Sequence, residues 1–454
     1  MRTGVLTAVI LTAALAGCEA PLPSGSSTGY YRVGFDVASE GFDPADIVGI
    51  DVGGVRALDL RIDGDSVDVL VQGAPDPGEA SVVVTHADGS MDLLDQRFEY
   101  LPPEDARFER VVAFGASLTQ GVMDAVPTSE GTLDSPALAL ARVLGAYMPQ
   151  PQLVPGLFRP LALADVGPPP ACSAPNVVAH ITDGIAETLP RLARPDDSGF
   201  GYEMGRLDPR LEVRNLSAGN YQLDDTVHGP DASEIVQIFL GHLAFDPFGT
   251  FGEPSAFTQL DAVEALNPTL VFTTDLMGND ALGSGGGRTP PEQIEADLSL
   301  LVPRLAATGA EVFIGDMPDV TILPNRIASP DPRVTADIEL YNAALHRQAA
   351  PYPNVHVVPL FAETARLAEE GLEIGEEHLD IRMLGGLLSF DGLHFSATGY
   401  GLVAQVFADS IAEVLGVDLP PVDLPGILSR DRHAPRSVLE AGRDPALCVS
   451  GARR

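Results

Sequence analysis

The sequence predicts an α/β protein in which a three-layer αβα sandwich, built on a five-stranded parallel sheet, follows a small all-β sandwich. Two observations predict this fold class. Residues 30–101 read as short runs of alternating apolar and polar residues, a pattern typical of half-buried strands. Residues 108–418 read as buried apolar runs that alternate with helical stretches, a pattern typical of βαβ units. With 454 residues, of which 45% are apolar, the chain is long and apolar enough to bury a core in each part.

The first part, residues 30–101, carries five predicted strands separated by turn signals such as Pro77-Gly78. The strands are predicted over residues 31–37, 58–62, 67–71, 81–84 and 98–100. Short strands at this spacing favour a β-sandwich, and the run resembles an immunoglobulin-like domain of the IPT/TIG type. A spacer is the favoured role, because the sequence shows no aromatic cluster suited to binding a carbohydrate or another surface.

The second part, residues 108–418, alternates strands with helices, and its crossovers are expected to be right-handed. Strands are predicted over residues 110–114, 211–216, 269–273, 311–314 and 355–358. Helices are predicted over residues 136–144, 291–306, 334–348 and 398–415. The Pro-rich residues 146–208 predict an insertion over one end of the sheet, and residues 419–454 form a C-terminal extension.

The first 29 residues are predicted to be a targeting segment rather than part of the fold. Arg2 supplies a positive charge, and the apolar stretch 5–16 is too short to span a bilayer. It ends in Leu-Ala-Gly-Cys, which resembles the bacterial lipobox. The resemblance implies a lipoprotein signal peptide over 1–17, lipidation of Cys18 and a lipidated tether over 18–29. The alternative is an ordinary cleaved signal peptide with a chance cysteine.

A lipidated Cys18 predicts a protein anchored in the bacterial cell envelope, at the outer membrane, in the periplasm or at the cell surface. Two cysteines remain, Cys172 and Cys448. An even number of cysteines in an oxidising compartment makes a disulfide between them a candidate. Two unpaired thiols are the alternative, since the sequence does not give the separation of these residues.

Composition excludes several classes of function. A formal net charge of −37 argues against nucleic acid as a partner and against a polybasic membrane patch. All 27 basic residues are arginine, which excludes a P-loop lysine and a lysine Schiff base. The nine histidines form neither an HExxH motif nor a close His/Cys cluster, so no zinc site is predicted. The family resemblance described below implies that neither a metal nor a cofactor is needed.

Polar residues follow three of the predicted strands, at the edge where open α/β sheets bind ligands. The first strand leads into Ser117, which would begin a turn or helix with its own N–H free to donate. The second leads into Gly219, whose N–H no Cβ shields, and the third into Asn279, whose side chain offers an amide donor. Each block alone is more typical of an N-cap or a plain loop.

Asp391 and His394 lie three residues apart in the sequence Asp-Gly-Leu-His, ahead of a predicted helix. If the loop turns back on itself, the carboxylate can fix the tautomer of the imidazole and stabilise its cation. An oriented neutral histidine is the base that a serine hydroxyl needs in order to act as a nucleophile. A surface histidine is the alternative reading of His394 alone.

In chain order the four blocks read FGASLT, NLSAGN, GND and DGLH, and together they resemble the SGNH (GDSL-type) hydrolase family. The resemblance covers the whole second part and implies a flavodoxin-like fold and an acyl hydrolase. Ser117 would be the nucleophile, His394 the general base and Asp391 the residue that orients it. The oxyanion hole would combine the N–H groups of Ser117 and Gly219 with the Asn279 side chain.

Two residues depart from the family pattern. Ala116 stands where the usual Gly-Asp-Ser-Leu has its aspartate, and Phe395 follows the histidine where proline is frequent. The missing carboxylate is not one of the catalytic groups, so altered rather than lost activity is expected.

The favoured function is cleavage of small-molecule or lipid esters through an acyl-serine intermediate, by an esterase or lipase held to a membrane by its lipid anchor. A carbohydrate O-acetylesterase and a non-catalytic surface-binding lipoprotein are the alternatives. Apolar residues in the 146–208 insertion could wall an acyl pocket or simply pack as core. The sequence leaves the natural substrate and the oligomeric state open.

Overall fold

The computed structural model describes residues 30–72, 77–151, 153, 158–166, 212–231, 240–241, 244, 258–283, 287–323, 331–381 and 386–442. The predicted signal peptide and tether with Cys18, the two cysteines Cys172 and Cys448, and residues 167–208 of the predicted insertion lie outside the described residues. Within the described ranges, no helix is long and apolar enough to cross a membrane.

The first part of the chain forms two antiparallel sheets. Its strands are β1 (Tyr30–Phe35), β2 (Ile47–Val52), β3 (Val55–Arg56), β4 (Leu58–Asp63), β5 (Ser66–Gln72), β6 (Gly78–His86) and β7 (Met91–Tyr100). One sheet has the order β1-β5-β4 and the other β3-β2-β6-β7. Inward-facing residues of both sheets, including Phe35, Val69, Ile50 and Val84, pack into one apolar cluster. All five predicted strands of this part are confirmed.

Strands β2 and β3 were not predicted from the sequence. Gly49 lies inside β2, and a Cβ at this position would lie 1.5 Å from a guanidinium nitrogen of Arg56. The glycine therefore leaves room for the Arg56 side chain to lie across the strand. A glycine inside a short strand interrupts the apolar alternation that makes a strand recognisable.

The second part contains a four-stranded parallel sheet with the order β11-β10-β9-β8. Its strands are β8 (Val111–Ala113), β9 (Leu270–Thr273), β10 (Glu311–Gly315) and β11 (Val355–Val358). Each coincides with a predicted strand. A separate hairpin pairs β12 (Leu372–Ile374) with β13 (Glu377–Leu379).

The fifth predicted strand, over residues 211–216, is wrong: in the described residues 212–216 it is reduced to one parallel bridge between Ala113 and Asn215. The Asn215 side chain explains why the pairing stops. Its carbonyl accepts the Ser217 N–H at 3.2 Å, while its amide donates to the Thr119 carbonyl at 3.1 Å and to Gln150 at 2.8 Å. These bonds bend the chain away from the sheet after a single bridge.

Helices flank the parallel sheet. They are α1 (Ser117–Gln120), α2 (Ser129–Leu133), α3 (Pro136–Leu144), α4 (Leu223–His228), α5 (Gln259–Ala265), α6 (Gly278–Leu282), α7 (Pro291–Ala307), α8 (Pro332–Ala349), α9 (Leu360–Glu370), α10 (Ala397–Leu415), α11 (Leu424–Arg430) and α12 (Pro435–Glu440). Helix α3 packs against α10, and α7 packs against α8. The four predicted helices are confirmed as α3, α7, α8 and α10.

The sheet and its helices share one apolar core. Phe272 of β9 and Phe407 of α10 are both buried and their ring centroids lie 5.9 Å apart. The two parts of the chain also touch, because the rings of Tyr100 and Tyr147 meet edge to face with centroids 5.6 Å apart. The Tyr147 hydroxyl donates to the Leu101 carbonyl, so this contact combines apolar packing with a hydrogen bond.

Gly121 ends helix α1 at φ +86° and lies in a tightly packed region. A Cβ here would lie 2.3 Å from the Gly131 carbonyl oxygen and would also require the left-handed conformation that L-residues avoid. We expect Gly121→Ala to lower the free energy of unfolding by about 3 kcal/mol, from conformational strain and overpacking together. Urea unfolding measures this loss.

Gly309→Ala is the matched control, because Gly309 has φ +77° but no atom within 4 Å of its would-be Cβ. Strain alone predicts a loss of about 1 kcal/mol for this variant. Equal losses in the two variants would contradict the predicted clash at Gly121.

Candidate active site

The turn that carries Ser117 follows directly from strand β8. Gly115 adopts φ +126°, and a Cβ there would lie 2.5 Å from the Thr273 hydroxyl oxygen and 3.0 Å from Asp275 Oδ1. Only glycine fits this conformation and this space. The chain therefore turns sharply out of the sheet, and Ser117 becomes the first residue of α1.

The buried carboxylate of Asp275 binds the backbone of this turn. Its oxygens accept the N–H groups of Ala116 at 3.0 Å, Leu118 at 2.6 Å and Thr119 at 3.2 Å, and also the Thr119 hydroxyl at 2.7 Å. Burial raises the pKa of Asp275 above its usual value, and these hydrogen bonds lower it again only in part. The carboxylate thus takes the N–H groups on both sides of Ser117.

The N–H of Ser117 and its hydroxyl make no hydrogen bond to any residue that the structure describes. The side chain is only partly buried. The first backbone N–H groups of a helix have no acceptor within the helix, so they can donate to an anionic oxygen. Ser117 therefore combines an exposed hydroxyl with an adjacent donor.

Asp391 and His394 form the buried pair that the sequence predicts. Asp391 Oδ2 lies 2.7 Å from His394 Nδ1, and Oδ1 accepts the N–H groups of Leu393 and His394, both at 2.8 Å. Gly392, at φ +66°, lets the loop fold back so that the two side chains meet. Burial raises the pKa of Asp391, but the charge of His394 and the hydrogen bonds lower it more, to about 2.

The carboxylate therefore stays ionised at neutral pH and fixes the His394 ring through Nδ1. Among the described residues, the other ring nitrogen, Nε2, has no hydrogen-bond partner. An imidazole held through Nδ1, with Nε2 unengaged, is the arrangement that a general base requires.

One short segment connects the Ser117 turn to the His394 loop. The Val122 N–H donates to the Ser117 carbonyl at 2.9 Å, and the Ala125 N–H donates to Asp391 Oδ2 at 2.7 Å. The residues that follow Ser117 and His394 in the sequence, Leu118 and Phe395, line the same small apolar cavity. The structure brings the two blocks to one end of the sheet but shows no hydrogen bond between the Ser117 hydroxyl and His394 among the described residues.

The Gly219 block also lies against the Ser117 turn. The Ala218 N–H donates to the Gly115 carbonyl at 3.0 Å, and the Gly219 N–H donates to the side-chain carbonyl of Gln120 at 3.0 Å. The predicted oxyanion donor is thus engaged within the protein. The next residue, Asn220, adopts φ +66°, and its N–H has no acceptor among the described residues.

Asn279, in the first turn of α6, faces the same block, because its side-chain amide donates to the Tyr221 carbonyl at 2.8 Å. The neighbouring Asp280 binds the surrounding backbone and side chains. Its carboxylate accepts the Leu223 N–H at 2.9 Å and the Thr289 hydroxyl at 2.6 Å. Burial raises the pKa of Asp280 to about 6.

Sequence reasoning missed two features of this site. Asp275 lies two residues after the end of strand β9, and a carboxylate near a strand's carboxyl end was an available signal. Asn220 carries a weaker signal, since asparagine is the residue other than glycine that most readily adopts positive φ.

One group of side chains within the described ranges could hold a metal ion, although the sequence predicts no metal site. Asp224, His228 and Asp297 place their ligand atoms within 4.8 Å of one another. His228 Nε2 lies 3.8 Å from Asp224 and 3.6 Å from Asp297. The adjacent Asp225 caps helix α4 by accepting the Gln222 N–H at 2.8 Å.

Comparison of the sequence with protein-family models and with curated proteins finds no match. Among solved structures, an acetyl xylan esterase, AlAXEase, is similar to this chain at 16% sequence identity. The similarity covers 44% of this chain and 82% of that chain, with a TM-score of 0.29. This likeness is distant, and a TM-score of this size supports no inference about activity.

The lowered pKa of Asp391 predicts how stability depends on pH. The carboxylate's interactions stabilise the fold fully above its unfolded value near 3.8 and are lost as the pH falls through about 2. We expect Asp391→Asn to lower the free energy of unfolding at pH 7 by about 1–3 kcal/mol. The difference between wild type and variant, measured by chemical unfolding at several pH values, is expected to shrink between pH 4 and pH 2.

Asp409→Asn, which removes an exposed carboxylate of α10, is the control and is expected to change stability little at any pH. A difference between wild type and Asp391→Asn that stays constant from pH 7 to pH 2 would contradict the predicted pairing of Asp391 with His394.

Proposed function

We propose that this protein is a serine hydrolase of the SGNH (GDSL-type) family that cleaves carboxylic esters through an acyl-serine intermediate. The observation that carries the proposal is the buried Asp391–His394 pair at the same end of the sheet as Ser117, whose hydroxyl and N–H are both unengaged among the described residues. A nucleophile, a base fixed by a carboxylate and a backbone donor are the minimum that acyl transfer through serine needs.

In the proposed mechanism, His394 Nε2 accepts the proton of the Ser117 hydroxyl as the oxygen attacks the ester carbonyl. The ionised Asp391 carboxylate stabilises the imidazolium that forms. His394 then donates the proton to the leaving alcohol oxygen, and the acyl group stays on Ser117. A water molecule, deprotonated by the same imidazole, releases the acid and restores the serine.

The oxyanion of the tetrahedral intermediate would be bound by the Ser117 N–H, and by the side-chain amide of Asn279 if the Tyr221 carbonyl releases it. Each preorganised donor contributes about 3–4 kcal/mol at the transition state. The Gly219 N–H can join them if the Gln120 side chain releases it, and the Asn220 N–H offers a donor in the same turn without that rearrangement. The Ser117 donor depends directly on Asp275, because that carboxylate fixes the turn around it.

The test is hydrolysis of p-nitrophenyl esters from acetate to palmitate by the chain without its first 18 residues. We expect serine-dependent turnover of at least one ester, and Ser117→Ala is expected to abolish it, because no other group then forms the acyl intermediate. Ser299→Ala, which changes an exposed serine of α7, is expected to retain full activity. Ester cleavage is followed by p-nitrophenolate release.

Ester hydrolysis by the Ser117→Ala variant would contradict the proposed mechanism. If the folded wild-type protein cleaves none of these esters, the carbohydrate O-acetylesterase or the non-catalytic binding protein becomes the favoured function.

The Asn279→Ala variant separates two roles of the side-chain amide. A fall in kcat of about 10²–10³-fold supports a role in the oxyanion hole, whereas a change confined to KM assigns Asn279 to substrate binding.

We also propose that Cys18 carries the lipid that anchors the enzyme in the cell envelope, on the basis of its lipobox-like sequence. Cys18→Ser is expected to move the protein from the membrane fraction to the soluble fraction of an expressing bacterium. Cys172→Ser is the matched control and is expected to leave the protein with the membranes. Continued sedimentation of the Cys18 variant with membranes would remove the anchor from the proposal.

A further inference from the structure

Asp431 and His433, between α11 and α12, are buried although they lie in the C-terminal extension and outside the four motif blocks. Asp431 is 2% exposed and His433 is 1% exposed. Ionisable side chains are seldom buried this completely unless they are paired. The contacts of these residues therefore show what the segment holds.

His433 joins two buried carboxylates. Its Nε2 lies 3.0 and 3.1 Å from the two oxygens of Asp124, and its Nδ1 lies 3.1 Å from Asp431 Oδ1. Burial lowers the pKa of His433, but Asp124 and Asp431 raise it more, to about 9. At neutral pH both ring nitrogens therefore carry protons and both donate. The Arg432 guanidinium also donates to Asp124, so that two cations balance two carboxylates.

Asp124 in turn holds the loop that carries the catalytic pair. Its carboxylate accepts the Phe390 N–H at 2.8 Å, and its own N–H donates to the Ser389 hydroxyl at 3.1 Å. The next residue, Ala125, donates its N–H to Asp391 Oδ2 at 2.7 Å. The 124–125 turn thus contacts three consecutive residues, 389 to 391, just ahead of His394.

The segment also contacts the chain on the other side of His394. Asp431 Oδ2 accepts both the N–H and the hydroxyl of Thr398, in the first turn of α10, at 2.8 and 2.7 Å. The His433 ring meets the Phe390 ring edge on, with centroids 4.4 Å apart. The histidine loop is therefore fixed from both of its ends by one short segment.

The 124–125 turn needs such support because its backbone is strained. Asp124 has φ +56° and Ala125 has φ +75°, two consecutive residues other than glycine in the left-handed region. This conformation costs free energy at each residue and persists only where surrounding contacts determine it. Hydrogen bonds from His433 and Arg432 to Asp124 are contacts of that kind.

We propose that Asp124, Asp431, Arg432 and His433 form a positioning network that holds the 124–125 turn and, through it, the Asp391 carboxylate that orients His394. The inference rests on the proposed function. His433 acts through Asp124 and Asp391 and does not itself touch the reacting atoms. Its removal changes the geometry of the base and hence the rate of proton transfer, while the surface that binds the ester stays in place.

The experiment compares His433→Gln with His356→Gln in the same chain. His356 contacts a carboxylate on the parallel sheet, with Nε2 3.0 Å from Glu311, so its variant removes a histidine–carboxylate contact away from the site. Two readouts are taken: kcat and KM for the best p-nitrophenyl ester, and the rate constant for covalent labelling of Ser117 by a fluorophosphonate. An unfolded fraction lowers the extent of labelling but not its rate constant, which separates misfolding from loss of positioning.

We expect His433→Gln to lower kcat and the labelling rate constant together, by about 10–100-fold, with KM changed by less than about threefold. His356→Gln is expected to leave all three values unchanged. Wild-type kinetics in His433→Gln, or a rise in KM alone, would overturn the inference. If His433→Gln does not fold, Arg432→Gln replaces it under the same criteria, because it removes the other cation on Asp124.

Failure of the proposed function gives a different result. A wild-type protein that neither cleaves the esters nor is labelled at Ser117 would refute the serine mechanism and, with it, this inference. A wild type that is labelled in a Ser117-dependent manner, beside a His433→Gln variant labelled equally fast, would refute the positioning network alone.

Discussion

The hydrogen bonds from the Ser117 turn to the buried Asp275 carboxylate are the contacts on which the rest of the candidate site depends. A strand of three residues, β8, ends in a turn that only glycine permits at residue 115. The carboxylate after the neighbouring strand fixes this turn by accepting three of its backbone N–H groups. The Asp275 carboxylate does not accept the Ser117 N–H, which has no acceptor among the described residues. The contact that fixes the turn therefore leaves this one N–H available to a ligand.

Buried carboxylates bind the loops at this end of the sheet in two chemically different ways. Among the described residues, Asp275 accepts hydrogen bonds from N–H and hydroxyl groups, and burial raises its pKa. Asp391 faces a histidine, and its pKa is lowered to about 2. A carboxylate whose pKa is lowered stays ionised at neutral pH and can stabilise a cation that forms beside it. The two environments therefore separate the residue that shapes the site from the residue that supports the base.

The sequence predicts those parts of the fold whose signals are local. Helix α3 is predicted at its observed bounds, because Ser135 caps its first turn and Gly145 ends it. The parallel strands are predicted from their apolar runs. The fifth strand is wrong because an asparagine side chain bends the chain, and a run of apolar residues does not reveal that competition. Ser117, Asp391 and His394 are recognisable as motifs, but Asp275 and His433 act through residues more than 150 positions away, and no local pattern marks such contacts.

The contact between His433 and Asp124 spans 309 positions of the chain, and this separation has a consequence for the order in which the protein is made. Synthesis proceeds from the N-terminus, so the Ser117 turn and the parallel strands emerge well before residue 433. The network around Asp124 can close only after residue 433 has emerged. The parallel sheet of a nascent chain can thus fold before the segment 431–433 binds the histidine loop. The final geometry of the proposed base is thereby set later than the sheet that carries Ser117.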